Sequence, residues 1–204
     1  KRARPIRKGG TLTVASASRT QSVILGGART PFGKLNGALA SKSAVELGGI
    51  ALACAVERAG VARADIQNTI MGQVLQGGAG QNPARQAGFL AGFDRTVPAE
   101  TINRVCGSGM RAVTLADSLI RAGDFAVIAA GGMESMSQAP YLVRGARAGL
   151  RIGDAAFEDS MVHDGLTCAV AGCHMGIHGG AVAEEEHVGR EEQDAWALRS
   201  HLRA

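Results

Sequence analysis

Aromatic side chains are scarce: Phe, Tyr and Trp make up 3% of the 204 residues, against 29 glycines. A core with so few rings must pack through Ala, Val, Ile and Leu with backbones drawn close together, and it offers no platform on which bases could stack. Long hydrophobic runs are missing too. Nothing approaches the roughly 20 apolar residues needed to span a bilayer, and no signal-peptide block stands at the start. A membrane partner is therefore not expected. Acidic residues are absent until Glu46, while Lys1, Arg2, Arg4, Arg7, Lys8 and Arg19 crowd the beginning. The formal charge of +4 belongs to that segment, because the remainder carries 16 basic against 18 acidic residues. A nucleic-acid binder needs a basic face on its folded part, so no nucleic-acid partner is expected either.

Cysteine is sparse, at Cys54, Cys106, Cys168 and Cys173. The count allows two disulfides, but nothing else points to secretion, and the reading is a reducing, cytoplasmic compartment. The Arg-rich, acid-free start also has the composition of a transit peptide, which leaves a mitochondrial alternative. A flexible basic tail over residues 1–20 fits equally well. Because the chain starts at Lys1 rather than Met, that end is read as one that need not be complete.

Two hundred residues can bury one good core, or one domain and part of a second. Ser22–Ala28 reads as a short buried strand, followed by a loop to Gly33. A helix is predicted from Ser43 to Ala59, with Ser43 as N-cap, Glu46 three residues on, and Gly60 as the stop. Gly48 and Gly49 each cost such a helix about 1 kcal/mol relative to Ala, which implies close packing against another backbone. Cys54, between alanines, is read as core. Thr69–Leu75 is the next strand, Gln76–Gln81 a glycine-rich loop without the Lys-Ser/Thr pair of a P-loop, and Pro83 the first position of a short helix to Leu90. Thr96–Arg104 reads as a strand and Phe125–Ala130 as a fully buried one. Between them a helix over Gly107–Arg121 is apolar on several faces and is expected to be buried centrally. Strands alternating with helices predict an α/β fold with a mainly parallel sheet. From Ser137 the pattern changes, and a last helix over Arg190–Arg203 has acidic residues early and basic ones late, as its dipole favours.

The stretch that organises the chain is Thr101-Ile-Asn-Arg-Val-Cys-Gly-Ser-Gly-Met110. It reads as strand, sharp turn and helix, with Cys106 at or just before the first helical turn. Unpaired N–H groups and the positive dipole end suit an anionic sulfur there. Gly107 and Gly109 allow a tight turn and an unobstructed approach by a substrate. The logic matches the nucleophile elbow of hydrolases, although a small buried residue at a helix start would read the same way.

These residues closely resemble the thiolase family, whose nucleophilic cysteine lies in a Cys-Gly-Ser-Gly turn. Gly131-Gly-Met-Glu-Ser-Met-Ser-Gln-Ala-Pro-Tyr141 and Gln76-Gly-Gly-Ala-Gly-Gln-Asn-Pro-Ala-Arg-Gln86 resemble two further signatures of that family, in the same order. A ketoacyl synthase of the same superfold usually carries a Cys-Ser-Ser-type turn, which argues against that neighbour. The resemblance implies the first βα half of the thiolase fold over 21–136, incomplete, and the start of an inserted loop domain over 137–204. It implies acyl transfer through an acyl-thioester on Cys106, forming or cleaving acetoacetyl-CoA or another 3-ketoacyl-CoA. Coenzyme A would be present as substrate, with no covalently bound cofactor, in a homodimer or homotetramer.

His163, Cys168, Cys173, His174 and His178 cluster in sequence, but their spacing matches no common structural zinc pattern, and no metal is expected. The resemblance instead implies that Leu166, His174 and Met175 contact the acyl-CoA along the pantetheine arm. Ile177-His-Gly-Gly-Ala181 departs from the family wording, and its glycines weaken a helix start. The activating histidine and second catalytic cysteine of the family do not map onto these 204 residues. The chain is thus expected to be inactive alone. The alternative is a non-catalytic fragment or interaction protein that pairs through the dimer surface, with an exposed apolar face that promotes association.

Overall fold

Ser43 opens the first helix as the sequence requires. Its Oγ accepts the Glu46 N–H at 3.1 Å, while Glu46 Oε2 accepts the Ser43 N–H at 2.9 Å. This reciprocal capping box starts α1, Ala44–Ala59, and Gly60 ends it in the left-handed region at φ 64°. The computed structural model describes residues 21–203, and the basic tail read over 1–20 lies outside the described residues. After α1 come β1 (Asn68–Gly72), α2 (Pro83–Leu90), β2 (Ala99–Ile102), α3 (Ser108–Ala122) and β3 (Ile128–Gly132). Pro83 occupies the first turn of α2 behind the N-cap Asn82.

The three strands form one parallel sheet in the order β2-β1-β3. All five residues of β1 are buried, as a central strand covered on both faces must be. Successive residues of β1 serve opposite faces. Met71 joins the core built with α1 and α2, including Leu52, Val56, Ala87 and Phe93. Ile70 faces α3 and packs on Ala112 and Ala116. Gly72 pairs with both Ile102 and Gly132, so the three strands end level and release the chain on one side. In open parallel α/β sheets, that carboxyl side is where ligands bind.

The glycines of α1 are closely packed, but mainly against side chains rather than against the backbone that was expected. A Cβ on Gly48 would lie 2.5 Å from Met133 Sδ, and one on Gly49 would lie 2.6 Å from Leu90 Cβ. Their cost in helix propensity is offset by how near α2 and the end of β3 can come.

Four expectations need correction. Ser22–Ala28 is neither a strand nor buried: it has no regular structure and is mostly exposed, outside the ladder. It borders a cavity of about 540 Å³ whose opposite wall is Val127–Ala130, so it stands off β3 instead of pairing with it. β3 begins three residues later than expected and buries Ala129 alone, because one of its edges has no partner strand. α3 is not buried all round. Its covered face is the small-residue row Ser108, Ala112 and Ala116, while Met110 is 76% exposed, because the sheet lies on one side of it only. Cys54 is half-buried rather than core.

Beyond Met136 the chain leaves the sheet. Tyr141–Leu142 (β4) pairs antiparallel with Glu158–Asp159 (β5), and a helical turn, Met161–Leu166, follows. Arg144 Nε donates to Glu158 Oε2 at 2.7 Å, and His163 sits between Glu158 and Asp164. Arg144 holds the Glu158 carboxyl below its usual range. Met175–Glu185 (α4) is helical despite Gly176, Gly179 and Gly180, because His174 caps it by accepting the Gly176 N–H at 3.0 Å. Arg190–Arg203 (α5) follows as predicted. Among the described residues no helix is long and apolar enough to cross a membrane.

Candidate active site

Between β2 and α3 the chain turns in five residues. Asn103 Oδ1 accepts the Val105 N–H at 2.8 Å, and the Gly107 N–H reaches Arg104 O at 3.1 Å. Ser108 Oγ donates to Val105 O at 2.6 Å and accepts the Arg104 N–H at 2.8 Å. The turn is therefore held by side chains that belong to it. Its strain sits on Val105, at φ 49°, a left-handed conformation that is uncommon for a β-branched residue and costs on the order of 1–3 kcal/mol. Gly107, the N-cap of α3, has φ −86°, a conformation open to any residue.

Glycines matter nearby for a different reason, which is close approach. A Cβ on Gly72 would fall 2.3 Å from the Ser108 carbonyl carbon, and one on Gly132 would fall 3.0 Å from Gly109 Cα. The first turn of α3 is thus pressed directly onto the ends of β1 and β3. Gly109 serves the packing of this contact, as the facing partner of Gly132. Cys106 is carried on the resulting rigid corner, exposed, one residue before the N-cap.

Cys106 lines a cleft of about 530 Å³ at the carboxyl ends of the strands. One wall is the loop Ala28–Lys34, another is Met133–Ser137, and Gly165 and Leu166 close a third side. The Gly-Gly-Met-Glu-Ser stretch, legible in the sequence only as a signature, acquires definite roles here. Glu134 accepts the Val74 N–H at 2.8 Å and the Leu75 N–H at 3.3 Å. Burial pushes its carboxyl above the usual range, and these two backbone donors pull it partly back. Ser135 Oγ donates to Lys42 O at 2.7 Å, and Ser137 Oγ accepts the Asn36 N–H at 2.9 Å. One segment therefore ties together two loops around the cleft, the one before α1 and the one after β1. Gln73, just past β1, also lines the cleft at 2% exposure, with its Nε2 donating to Leu75 O at 2.8 Å. Neither Glu134 nor Gln73 was singled out from sequence. A buried polar residue immediately after a predicted central strand is the signal that could have found Gln73.

Of the residues predicted to contact substrate, Leu166 lines the cleft, whereas His174 and Met175 do not. Thr167 bridges to His174, so these two lie one β-bridge from Leu166, with the His174 ring engaged at the N-terminus of α4. The upstream glycine-rich loop also stays outside the cleft, and Gln86 Nε2 holds it by donating to Ala79 O and Gln81 O. None of the five histidines lines the cleft, and among the described residues no three His, Cys, Asp or Glu side chains converge as a metal site requires.

Comparison with known proteins agrees with the α/β fold. A family model described as "Thiolase, N-terminal domain" matches residues 22–204. The chain is 49% identical over 185 residues to the "Acetyl-CoA acetyltransferase" of Cupriavidus necator, covering 91% of this chain and 47% of that protein. It is 49% identical over 183 residues to the "Acetyl-CoA acetyltransferase" of Escherichia coli (strain K12), covering 89% and 46%. A protein of the same description from Shinella zoogloeoides is 46% identical over 185 residues, covering 91% and 47%. The chain spans about half the length of the curated relatives it matches.

Proposed function

The chain belongs to the thiolase family through that family's N-terminal domain, and from this premise we propose that it supplies the nucleophile and one wall of an acyl-transfer site. The substrate is an acyl-CoA, acetyl- or acetoacetyl-CoA by analogy with the relatives named above. Cys106 Sγ attacks the thioester carbonyl, the C–S bond to coenzyme A breaks, coenzyme A leaves as the thiol with the proton that Cys106 gives up, and the acyl group stays on Cys106 as a new thioester. In the second half-reaction the α carbon of an acetyl-CoA loses a proton and takes the acyl group as the C–S bond to Cys106 breaks and the sulfur regains a proton. In the cleavage direction the acyl group passes instead to the coenzyme A sulfur. On the family reading the working unit is a homo-oligomer.

The single observation that carries this reading is the position of Cys106. It is exposed in a cleft at the carboxyl ends of three parallel strands, on a corner where Gly72 and Gly132 leave no room for movement. A nucleophile fixed in this way is already oriented before the substrate arrives, which is where much of the rate of acyl transfer originates. The Cys106 N–H is the donor offered to a developing oxyanion, because the Gly107 and Ser108 N–H groups are already bound to Arg104 O and Val105 O. No histidine in the cleft stands ready to take the thiol proton. Acylation of Cys106, rather than multiple turnover, is therefore the chemistry assigned to these residues.

Competition labelling tests the proposal. Iodoacetamide should alkylate Cys106 before the three half-buried cysteines, and acetyl-CoA should slow that reaction. Equal alkylation of all four thiols, or a Cys106 rate indifferent to acetyl-CoA, would remove the basis for the assignment.

A further inference from the structure

Cys168, Cys173 and His178 have no part in the cleft, yet the fold brings them together. Thr167 and His174 form an antiparallel bridge, and immediately inside it the Cys168 N–H donates to Cys173 O at 2.8 Å. Ala169–Gly172 makes the turn between them, helped by Gly172 at φ 66° and by the Gly172 N–H bond to Cys168 O at 2.8 Å. Cys168 and Cys173 are consequently opposed across the turn, joined by one backbone hydrogen bond, with side chains on one face. Opposed antiparallel residues have Cα atoms about 4.5–5.5 Å apart, inside the roughly 4.4–6.8 Å range that a disulfide spans. The Cys173 sulfur lies 3.0 Å from His178 Nε2, one turn into α4, and the Cys168 sulfur accepts the Ala171 N–H at 3.4 Å. Both thiols are free and partly solvent-accessible.

We propose that Cys173 and Cys168 form a peroxide-reactive dithiol, with Cys173 attacking and Cys168 resolving. His178 Nε2 takes the proton from the Cys173 thiol. The thiolate then attacks one peroxide oxygen, the O–O bond breaks, and the departing hydroxide recovers the proton from His178 as water. Cys173 is left as a sulfenic acid. Cys168 Sγ attacks the sulfenic sulfur, the S–O bond breaks, and a second water leaves with the Cys168 proton. Two thiols lose two electrons in total and one peroxide is reduced to two waters. The disulfide locks the turn between Leu166, which lines the cleft, and α4. It does so without touching Cys106.

Trypsin isolates the site conveniently, because no Lys or Arg lies between Arg151 and Arg190. The test treats the full chain carrying Cys106→Ser with hydrogen peroxide, alkylates the remaining thiols and weighs this peptide. The expected result is a loss of two hydrogens, reversed by dithiothreitol and distinct from the added oxygen of oxidised Met161 or Met175. Cys168→Ser should leave Cys173 as a sulfenic acid that dimedone captures. His178→Gln should slow that capture by roughly tenfold or more, the scale of a lost general base. Two alkylated thiols after peroxide treatment of the folded protein would overturn the proposal. So would dimedone capture at Cys168 in the Cys173→Ser variant at the rate seen for Cys173, or an unchanged rate in His178→Gln.

Discussion

Between Ala44 and Met133 each helix presses a buried face onto the three-stranded sheet, whereas from Tyr141 to Arg203 Ser160 is the one buried residue among those described. α1 hides six residues and α2 four, while α4 and α5 hide none. The first region is specified by tertiary packing, with glycines placed where backbones meet. The second is specified by local devices: the His174 cap, the Arg190–Asp194 ion pair at 2.8 Å, and Arg199 lying 3.9 Å over the exposed Trp196 ring. Packing is cooperative and local devices are not, so the same kind of substitution should have very different consequences in the two regions. The candidate nucleophile belongs to the first region, and the cysteine pair to the second.

The contrast is sharpest at Ile70, which is fully buried between the sheet and α3. Ile70→Ala should cost about 3–4 kcal/mol in urea unfolding, from lost transfer free energy and the cavity left behind. Gly72→Ala should follow at about 2–3 kcal/mol, because its Cβ meets backbone rather than a flexible side chain. This variant should also lower the alkylation rate of Cys106 by shifting the start of α3. Were Gly72→Ala as stable and as reactive as the parent chain, the corner would not be the constraint described above.

Smaller effects come from the helix cap. Ser43→Ala should lose about 1 kcal/mol. The capping carboxyl supplies a pH signature as well. In the fold, the Ser43 N–H, then Lys42 and the Ser43 hydroxyl, hold Glu46 down to about 2 from an ordinary 4.5. A lowered carboxyl contributes stability that is complete above the unfolded value and disappears as pH falls through the folded one. The stability difference between the parent chain and Glu46→Gln should therefore shrink as pH falls from about 4.5 toward 2, followed by urea unfolding across that window. A difference that stays constant across the window would mean the capping box is not formed. The smallest effect is expected in α5, where Leu202→Ala should change stability by less than about 0.5 kcal/mol, because the side chain is 79% exposed. A large loss there would show that α5 is packed against something and would break the comparison between the regions.

What the sequence made legible follows the same division. Local signals were read correctly: the Ser43–Glu46 box, Pro83 at the start of α2, and the charge order of α5 each depend on residues a few positions apart. The nucleophile stretch was legible as strand, turn and helix for the same reason. What could not be read was which surfaces other elements cover. The Ser22–Ala28 segment has the composition of a buried strand but no ladder beside it, and the apolar faces of α3 look alike in sequence although the sheet covers only the one that carries Ala112 and Ala116. The strain at Val105 was invisible, because the neighbouring glycines drew the expectation to themselves. Glu134 was hidden inside a recognisable signature whose physical work, tying backbone amides across the cleft, depends on contacts 60 residues apart in the chain.

Direct chemical trapping tests most closely whether Cys106 Sγ is the atom that takes an acyl group. The folded 204-residue chain would be incubated with acetyl-CoA, digested with trypsin, and the Val105–Arg111 peptide weighed beside the same peptide from Cys106→Ser. The account predicts one acetyl group on the peptide that carries Cys106, free coenzyme A in matching amount, and neither with the serine variant. An acetyl group on Cys54, Cys168 or Cys173 with Cys106 unmodified, or no acetylation of a folded sample at all, would contradict it.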